Sequence, residues 1–235
     1  NMLYYLHLLS DQLSFLRVFQ YITVRIVAGA GTAFVLSLLF GPWFIRRLTS
    51  LCSGELTRYQ EDLPKLDALH GEAKKKTPTM GGLLIITAIT GSCLLWCMLS
   101  NLLLWAALMT LWVMGGIGFA DDYIKTVRKQ AGGLSAAKKI FLQMLWILGL
   151  AFILLIMPET REHIRKLMVP LCKTPLIADV GLAGLVGLLI LVILGASNAV
   201  NLTDGLDGLA IGCVSSVALA YMIMTYAAGH ALFAA

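Results

Sequence analysis

Charge is scarce in this sequence. Only 13% of its 235 residues are Asp, Glu, Lys or Arg, against roughly 25% in soluble globular domains, and 59% are hydrophobic. That balance excludes a water-soluble domain and makes the chain an all-α, polytopic integral membrane protein, embedded in a lipid bilayer. Cysteine is too sparse and too scattered for a disulfide framework. There are five, of which Cys93, Cys97 and Cys213 lie inside apolar runs, while Cys52 and Cys172 fall in polar stretches expected on opposite sides of the membrane. Cys93-x-x-x-Cys97 reads as membrane packing rather than a metal site. His7, His70, His163 and His230 have no ligand spacing. Walker, EF-hand, nucleophile-elbow and Rossmann patterns are all missing. No internal repeat or low-complexity linker divides the chain, so residues 1–235 are read as a single domain. A cleavable signal peptide is also not seen. The leader to Gln20 mixes Asp11 and Arg17 with apolar residues and is expected to lie along the membrane surface. The net charge of +5 does not point to nucleic acid, because the basic residues sit between apolar runs.

Long apolar runs are what the sequence has. A membrane-crossing helix needs about 20 such residues. Residues 26–45 form the first run without a charge. Residues 77–120 contain no charge either and suffice for two helices joined tightly near Ser100-Asn101. Residues 140–158, 180–200 and 209–228 supply three more, so about six spans are expected. Residues 121–139 are read as a charged loop turning at Gly132-Gly133, and residues 159–173 as an outer amphipathic loop. The Gly29-Ala30-Gly31 and Gly184-x-x-Gly187 patterns read as notches for helix packing. Lysine and arginine favour the cytoplasmic side. The loops after the first and third expected spans, residues 46–76 and 121–139, hold twelve of them and the opposite side six, which puts the amino terminus outside. Three polar stretches then converge on the cytoplasmic face.

The most concentrated of these is Asn198-Ala199-Val200-Asn201-Leu202-Thr203-Asp204-Gly205-Leu206-Asp207-Gly208. Two carboxamides, two carboxylates and two glycines here stand between apolar runs, which is costly unless they face water, a cavity or a ligand. In a helix, Asn201, Asp204 and Asp207 would share one side. One aspartate would suffice to cap a helix; two, preceded by Asn198 and Asn201, exceed that need, and Asn both donates and accepts, which suits a ribose, a base edge or a phosphate. The second stretch is Asp121-Asp122, where adjacent carboxylates meet the negative end of a helix. Either they form a solvated helix end paired with Lys125, or they hold Mg²⁺ against a phosphate, since Mg²⁺ takes a few carboxylates and completes its shell with substrate oxygens. The third is Lys74-Lys75-Lys76-Thr77-Pro78-Thr79-Met80-Gly81-Gly82. Pro78 suits a first helical turn with Thr77 as its cap. The lysines serve equally as a cytoplasmic anchor or as part of a phosphate cradle.

The runs Thr77-Pro78-Thr79-Met80-Gly81-Gly82, Asp121-Asp122-Tyr123 and Asn198 to Gly208, in this order on this topology, resemble the phospho-N-acetylmuramoyl-pentapeptide transferases. These form a branch of the polyprenyl-phosphate N-acetylhexosamine-1-phosphate transferase superfamily. The resemblance implies a bacterial cytoplasmic-membrane enzyme with its active site on the cytoplasmic face. It implies transfer of phospho-N-acetylmuramoyl-pentapeptide from UDP-MurNAc-pentapeptide to undecaprenyl phosphate, with lipid I and UMP as products, Mg²⁺ as cofactor and a homodimer as assembly. By resemblance, Asp121 and Asp122 carry metal and base duties, and Lys138 or Lys139 contacts phosphate. Lys125 stands near the uridine, and Lys74, Thr79, Asn201, Asp204 and Asp207 line the nucleoside pocket, with Asn198 beside them. Lys76 departs from the family, which usually has glycine there. The resemblance covers the amino-terminal part of a ten-span enzyme. A later Met-Gly-Asp aspartate and a histidine-rich loop fall outside it, so this chain by itself is expected to be an incomplete catalyst. Three alternatives remain at this point. They are a sister transferase moving N-acetylglucosamine-1-phosphate, a non-catalytic membrane binding partner, and a cation-coupled transporter using the four aspartates. Transporter sites favour the membrane midplane, whereas these acids sit at helix ends.

Overall fold

The computed structural model describes residues 3, 13–52, 80–128, 132–169, 174–203 and 208–229. It is helical throughout, and the described residues form no strand beyond one antiparallel bridge between Leu167 and Ile177. A short 3₁₀ helix, Ser14–Gln20, leads into α1, Ile22–Cys52. There follow α2, Gly82–Trp96, and α3, Leu102–Thr126. Next come α4, Ala136–Ile156, and the short seven-residue α5, Pro158–Ile164. The last two are α6, Gly181–Thr203, and α7, Leu209–Gly229. Five of these helices are long and apolar enough to cross a membrane, and α2 is a shorter apolar helix of 15 residues. Among the described residues five to six helices are thus of membrane-crossing character, against the about six spans expected.

Several boundaries differ from those expected. Helix α3 runs past its last apolar residue through the acid pair to Thr126, so the charged loop is shorter than 121–139. The reason is local: Asp121 and Lys125 are four residues apart and form an ion pair along the helix. At the other end of that loop α4 begins at Ala136, so Lys138 and Lys139 are helical. The segment 159–173 is not simply a loop either, since it opens with α5 and continues into the Leu167–Ile177 bridge. Helix α2 starts at Gly82, with Gly81 in the capping position; Thr77 and Pro78 lie outside the described residues. The join at Ser100-Asn101 is as tight as expected. The Asn101 side chain caps α3 by accepting from the Leu103 N–H at 2.8 Å.

The chain packs as two units, Asn1–Leu142 and Gln143–Ala235. In the first, small residues and hydroxyls tie the spans. Ser92 Oγ donates to the Gly29 carbonyl at 2.6 Å, and Trp96 Nε1 donates to Thr32 Oγ1 at 2.9 Å. Without a side chain, Gly29 lets α1 approach Ser92 and Trp96 of α2. Gly31 has nothing close to it among the described residues, so only half of that expected notch is used. Trp112 Nε1 donates to Thr90 Oγ1 at 3.0 Å and links α3 to α2. The Phe19 ring of the leading 3₁₀ helix stacks on Trp96 with centroids 5.9 Å apart. Lipid is as apolar as a helix surface, so such polar links and close approaches carry the association, at about 1 kcal/mol each.

In the second unit the buried face belongs to α4. Gln143, Ile147, Leu150, Ala151 and Leu154 are all buried, at the three- and four-residue spacing of one helix side. Helix α6 is α-helical over Gly181–Leu189, widens to a π-helical turn over Ile190–Leu194, and resumes over Gly195–Thr203. Gly184 and Gly187, expected as a packing notch, have no neighbouring helix at their Cα positions among the described residues. Helix α7 exposes large apolar side chains along its length, the surface of a helix whose surroundings are themselves apolar.

Candidate active site

In the first unit the acid pair stands on the last turns of α3. Asp121 is buried although charged, at 7% exposure. Two donors meet it. Lys125 Nζ lies 2.6 Å from Oδ2, and the backbone N–H of Leu134 donates to Oδ1 at 2.8 Å. Burying a carboxylate is expensive unless both oxygens are satisfied, and here both are. Lys139, in the first turn of α4, lies within electrostatic reach of the same carboxylate. Gly133 makes this closure possible. Its φ is +56°, and a Cβ there would run into Asp121 Oδ1 and the Lys125 chain. The expected Gly132-Gly133 turn thus folds the loop back onto the acid. Asp122 is half-buried and has a polar partner of its own. Lys138 is exposed, and its backbone N–H lies 3.4 Å from Ser135 Oγ.

The donor set fits a magnesium ion in one respect. Two adjacent carboxylates are hard oxygen ligands of the number Mg²⁺ takes before substrate phosphates and waters complete its shell. No cluster of three or more acidic, histidine or cysteine ligands occurs among the described residues, so a cage made wholly of protein ligands is not part of this geometry. Lys125, which the resemblance places near the uridine, pairs with Asp121 across one helical turn.

In the second unit, Asn198 and Asn201 sit on the final turns of α6, immediately after the π-helical turn. Wide turns of this kind are frequent at functional positions. Asn198 Nδ2 donates to the Leu194 carbonyl at 2.8 Å and to Gln143 Oε1 at 3.3 Å. Gln143 Nε2 in turn donates to Ser197 Oγ at 3.1 Å. Gln143 is 1% exposed, so its amide is a buried polar clamp on the Asn198 side chain. Sequence reasoning missed it, although a lone amide inside the apolar run 140–158 was a visible signal. Asn201 is exposed.

Lys74, Thr79, Asp204 and Asp207 lie outside the described residues. Two neighbours of those positions are described. Met80 is buried with φ +73°, a left-handed backbone uncommon for a side chain of that size and typical of positions where function imposes strain. Gly208 closes the acidic motif at φ +85°.

The fold and these groups define a polytopic helical membrane protein with carboxylates and lysines at span ends in one unit and amides at a span end in the other. Residues 104–235 match the profile of "Glycosyl transferase family 4", and residues 74–86 match "Phospho-N-acetylmuramoyl-pentapeptide-transferase signature 1". The chain belongs to glycosyl transferase family 4. Proteins named phospho-N-acetylmuramoyl-pentapeptide-transferase are similar to it over most of its length. The one from Methylacidiphilum infernorum is 44% identical over 98% of this chain and 62% of its own length. The one from Desulforapulum autotrophicum is 38% identical over 97% and 60%. The one from Neisseria meningitidis serogroup A is 44% identical over 96% and 60%. The chain thus spans about three fifths of these curated relatives.

Proposed function

We propose that this chain serves the transfer of phospho-N-acetylmuramoyl-pentapeptide from UDP-MurNAc-pentapeptide to undecaprenyl phosphate, on the cytoplasmic face of a bacterial membrane. The observation that carries the reading is the buried Asp121, held by Lys125 and the Leu134 N–H beside Asp122 at the end of an apolar span. The signature over residues 74–86 and the names of the relatives support the muramoyl-pentapeptide substrate over the sister sugar phosphate.

In this reading an oxygen of the lipid phosphate attacks the sugar-side phosphorus of the UDP diphosphate. The bond to the UMP oxygen breaks, and UMP leaves with the electron pair. Mg²⁺, bound at Asp121 and Asp122, would neutralise charge on the diphosphate. The chain's own part is electrostatic and positional. Lys125 and the Leu134 N–H hold both oxygens of Asp121 in place. Asp122, the neighbouring carboxylate, is assigned the proton of the lipid phosphate when that group arrives protonated. Lys138 and Lys139, at the start of α4, are assigned to phosphate oxygens. Asn198 and Asn201, with Lys74, Thr79, Asp204 and Asp207, are assigned to the nucleoside and sugar. A homodimer is proposed as the working assembly, with residues 1–235 acting as one transferase domain.

The test is UMP release by the full-length protein in detergent with both substrates. Asp122→Asn should lower it by roughly 10²-fold or more, and chelation of divalent ions should abolish it. Equal turnover with UDP-GlcNAc would move the assignment to the sister class. Full activity in Asp122→Asn would remove the acid pair from the mechanism.

A further inference from the structure

Asn198 is open, from sequence, to a ribose, a base edge or a phosphate, because a carboxamide both donates and accepts. Its neighbours in the fold take one of those two capacities away. The carbonyl of Leu194, the last residue of the π-helical turn, lies 2.8 Å from the Asn198 amide. A carbonyl only accepts, so the amino group and not the oxygen must turn towards it. The other hydrogen of that amino group meets Gln143, which must then present Oε1, at 3.3 Å. Gln143 Nε2 is left for Ser197 Oγ, at 3.1 Å, a hydroxyl that serves as acceptor or donor. One backbone carbonyl thus sets the direction of every bond in the series. Gln143 is 1% exposed, and reversing its amide would set two amino groups against each other in a buried place, which is costly.

Both hydrogens of the Asn198 amide are therefore used inside the fold. No donor reaches its Oδ1 among the described residues, and that oxygen keeps accessible surface. What Asn198 offers a ligand is an acceptor alone, fixed in direction by its own amino group. The oxygens of a diphosphate are acceptors as well and would be repelled. Uridine esterified at its 5′ oxygen still carries donors: the ribose hydroxyls and the uracil N3–H.

We propose that Asn198 reads a hydrogen-bond donor of the substrate's uridine, a ribose hydroxyl or the uracil N3–H, with Gln143 as its positioning residue. The inference rests on the transferase reading and narrows it, since Asn198 then has no part in holding the diphosphate.

The experiment titrates the full-length protein in detergent with UDP-MurNAc-pentapeptide and with its 2′-deoxy, 3′-deoxy and N3-methyl uridine analogues, following the heat of binding. Asn198→Ala should weaken the natural substrate by roughly tenfold, the worth of one hydrogen bond in a desolvated site. One of the analogues should bind the unmodified protein about as weakly and lose nothing further in Asn198→Ala. An equal further loss for all three would mean that Asn198 meets none of those donors, and would overturn the proposal. A raised Mg²⁺ requirement for UMP release, in place of weakened substrate binding, would give Oδ1 to the ion and overturn it too. If Asn198→Ala fails to fold, Asn198→Ser, which keeps a donor for the Leu194 carbonyl, takes its place. Gln143→Glu tests the positioning. A carboxyl buried there favours its neutral form and repeats the acceptor and donor of the amide, so binding should be retained, whereas Gln143→Leu should weaken it. Equal binding by these two variants would remove that role from Gln143. Unmodified protein that neither binds the UDP substrate nor releases UMP would defeat the transferase reading itself. Unmodified protein that does both, with Asn198→Ala indistinguishable from it, would defeat this inference alone.

Discussion

One glycine and one amide side chain decide most of the local chemistry. Gly133 is where the loop meets the acid, and its positive φ leaves no room for a Cβ beside Asp121 and Lys125. Gly133→Ala should cost on the order of 1 kcal/mol in backbone strain and displace the Leu134 N–H from Asp121. UMP release is then expected to fall by roughly tenfold while expression is retained. Activity at the level of the unmodified protein would show that Asp121 does not need that donor. Gln143 is the second case. Gln143→Leu keeps the volume but removes both the acceptor for Asn198 and the donor to Ser197. Helix association should lose about 1 kcal/mol. If Asn198 touches substrate, the Michaelis constant for the UDP substrate should rise more than the turnover number falls. A variant that melts earlier yet binds substrate normally would make the clamp structural alone. The acid pair and Asn198 were legible in the sequence as polar residues beside apolar runs. Lys125 was legible as a partner of the acid pair, but Leu134 and Gln143 were not, since Leu134 contributes only a backbone N–H and Gln143 lies 55 residues from Asn198.

Among the elements, the linker between α4 and α6 contains a titrating carboxylate, Asp179. The Gly181 backbone N–H, followed by the Arg165 side chain, holds the Asp179 carboxyl below the usual carboxylate range. A carboxylate with a depressed folded pKa stabilises the fold in full above its unfolded value and loses that contribution as pH falls through the folded value. The Leu167–Ile177 pairing and the Val180 N–H bond to Arg165 should therefore persist from neutrality to about pH 5 and loosen below about pH 4. Hydrogen exchange at Leu167 and Val180, corrected for its intrinsic pH dependence, checks this. Protection that does not change on acidification would show that Asp179 contributes nothing to the linker. The helices themselves were largely legible, because run length is what a membrane demands. Their ends were less so. Helix α3 outlasts its apolar run by the i,i+4 pairing of Asp121 with Lys125, and α4 starts before its own run with two lysines in its first turn.

For the molecule in its membrane, the asymmetry of lysine and arginine predicts an orientation that the cysteines can test. With the amino terminus outside, Cys52 follows the first span on the inside and Cys172 lies in the linker outside. In intact cells a membrane-impermeant maleimide should label a variant retaining only Cys172 and spare one retaining only Cys52. The reverse pattern would invert the topology and place the acid pair on the outer face, away from any cytoplasmic UDP-sugar. Membrane residence, the number of spans and the three polar motifs were set by the sequence itself, because a charge in hydrocarbon is penalised wherever its neighbours stand. The side of each span that is buried was settled by tertiary structure alone. In water an amphipathic pattern marks the inner face, but lipid and protein interior are equally apolar, so α4 carries no such mark on the face it buries. Only packing could show that Gln143 turns inward to hold Asn198, and that a loop N–H from Leu134 closes on Asp121 beside Lys125, the partner already legible at i+4.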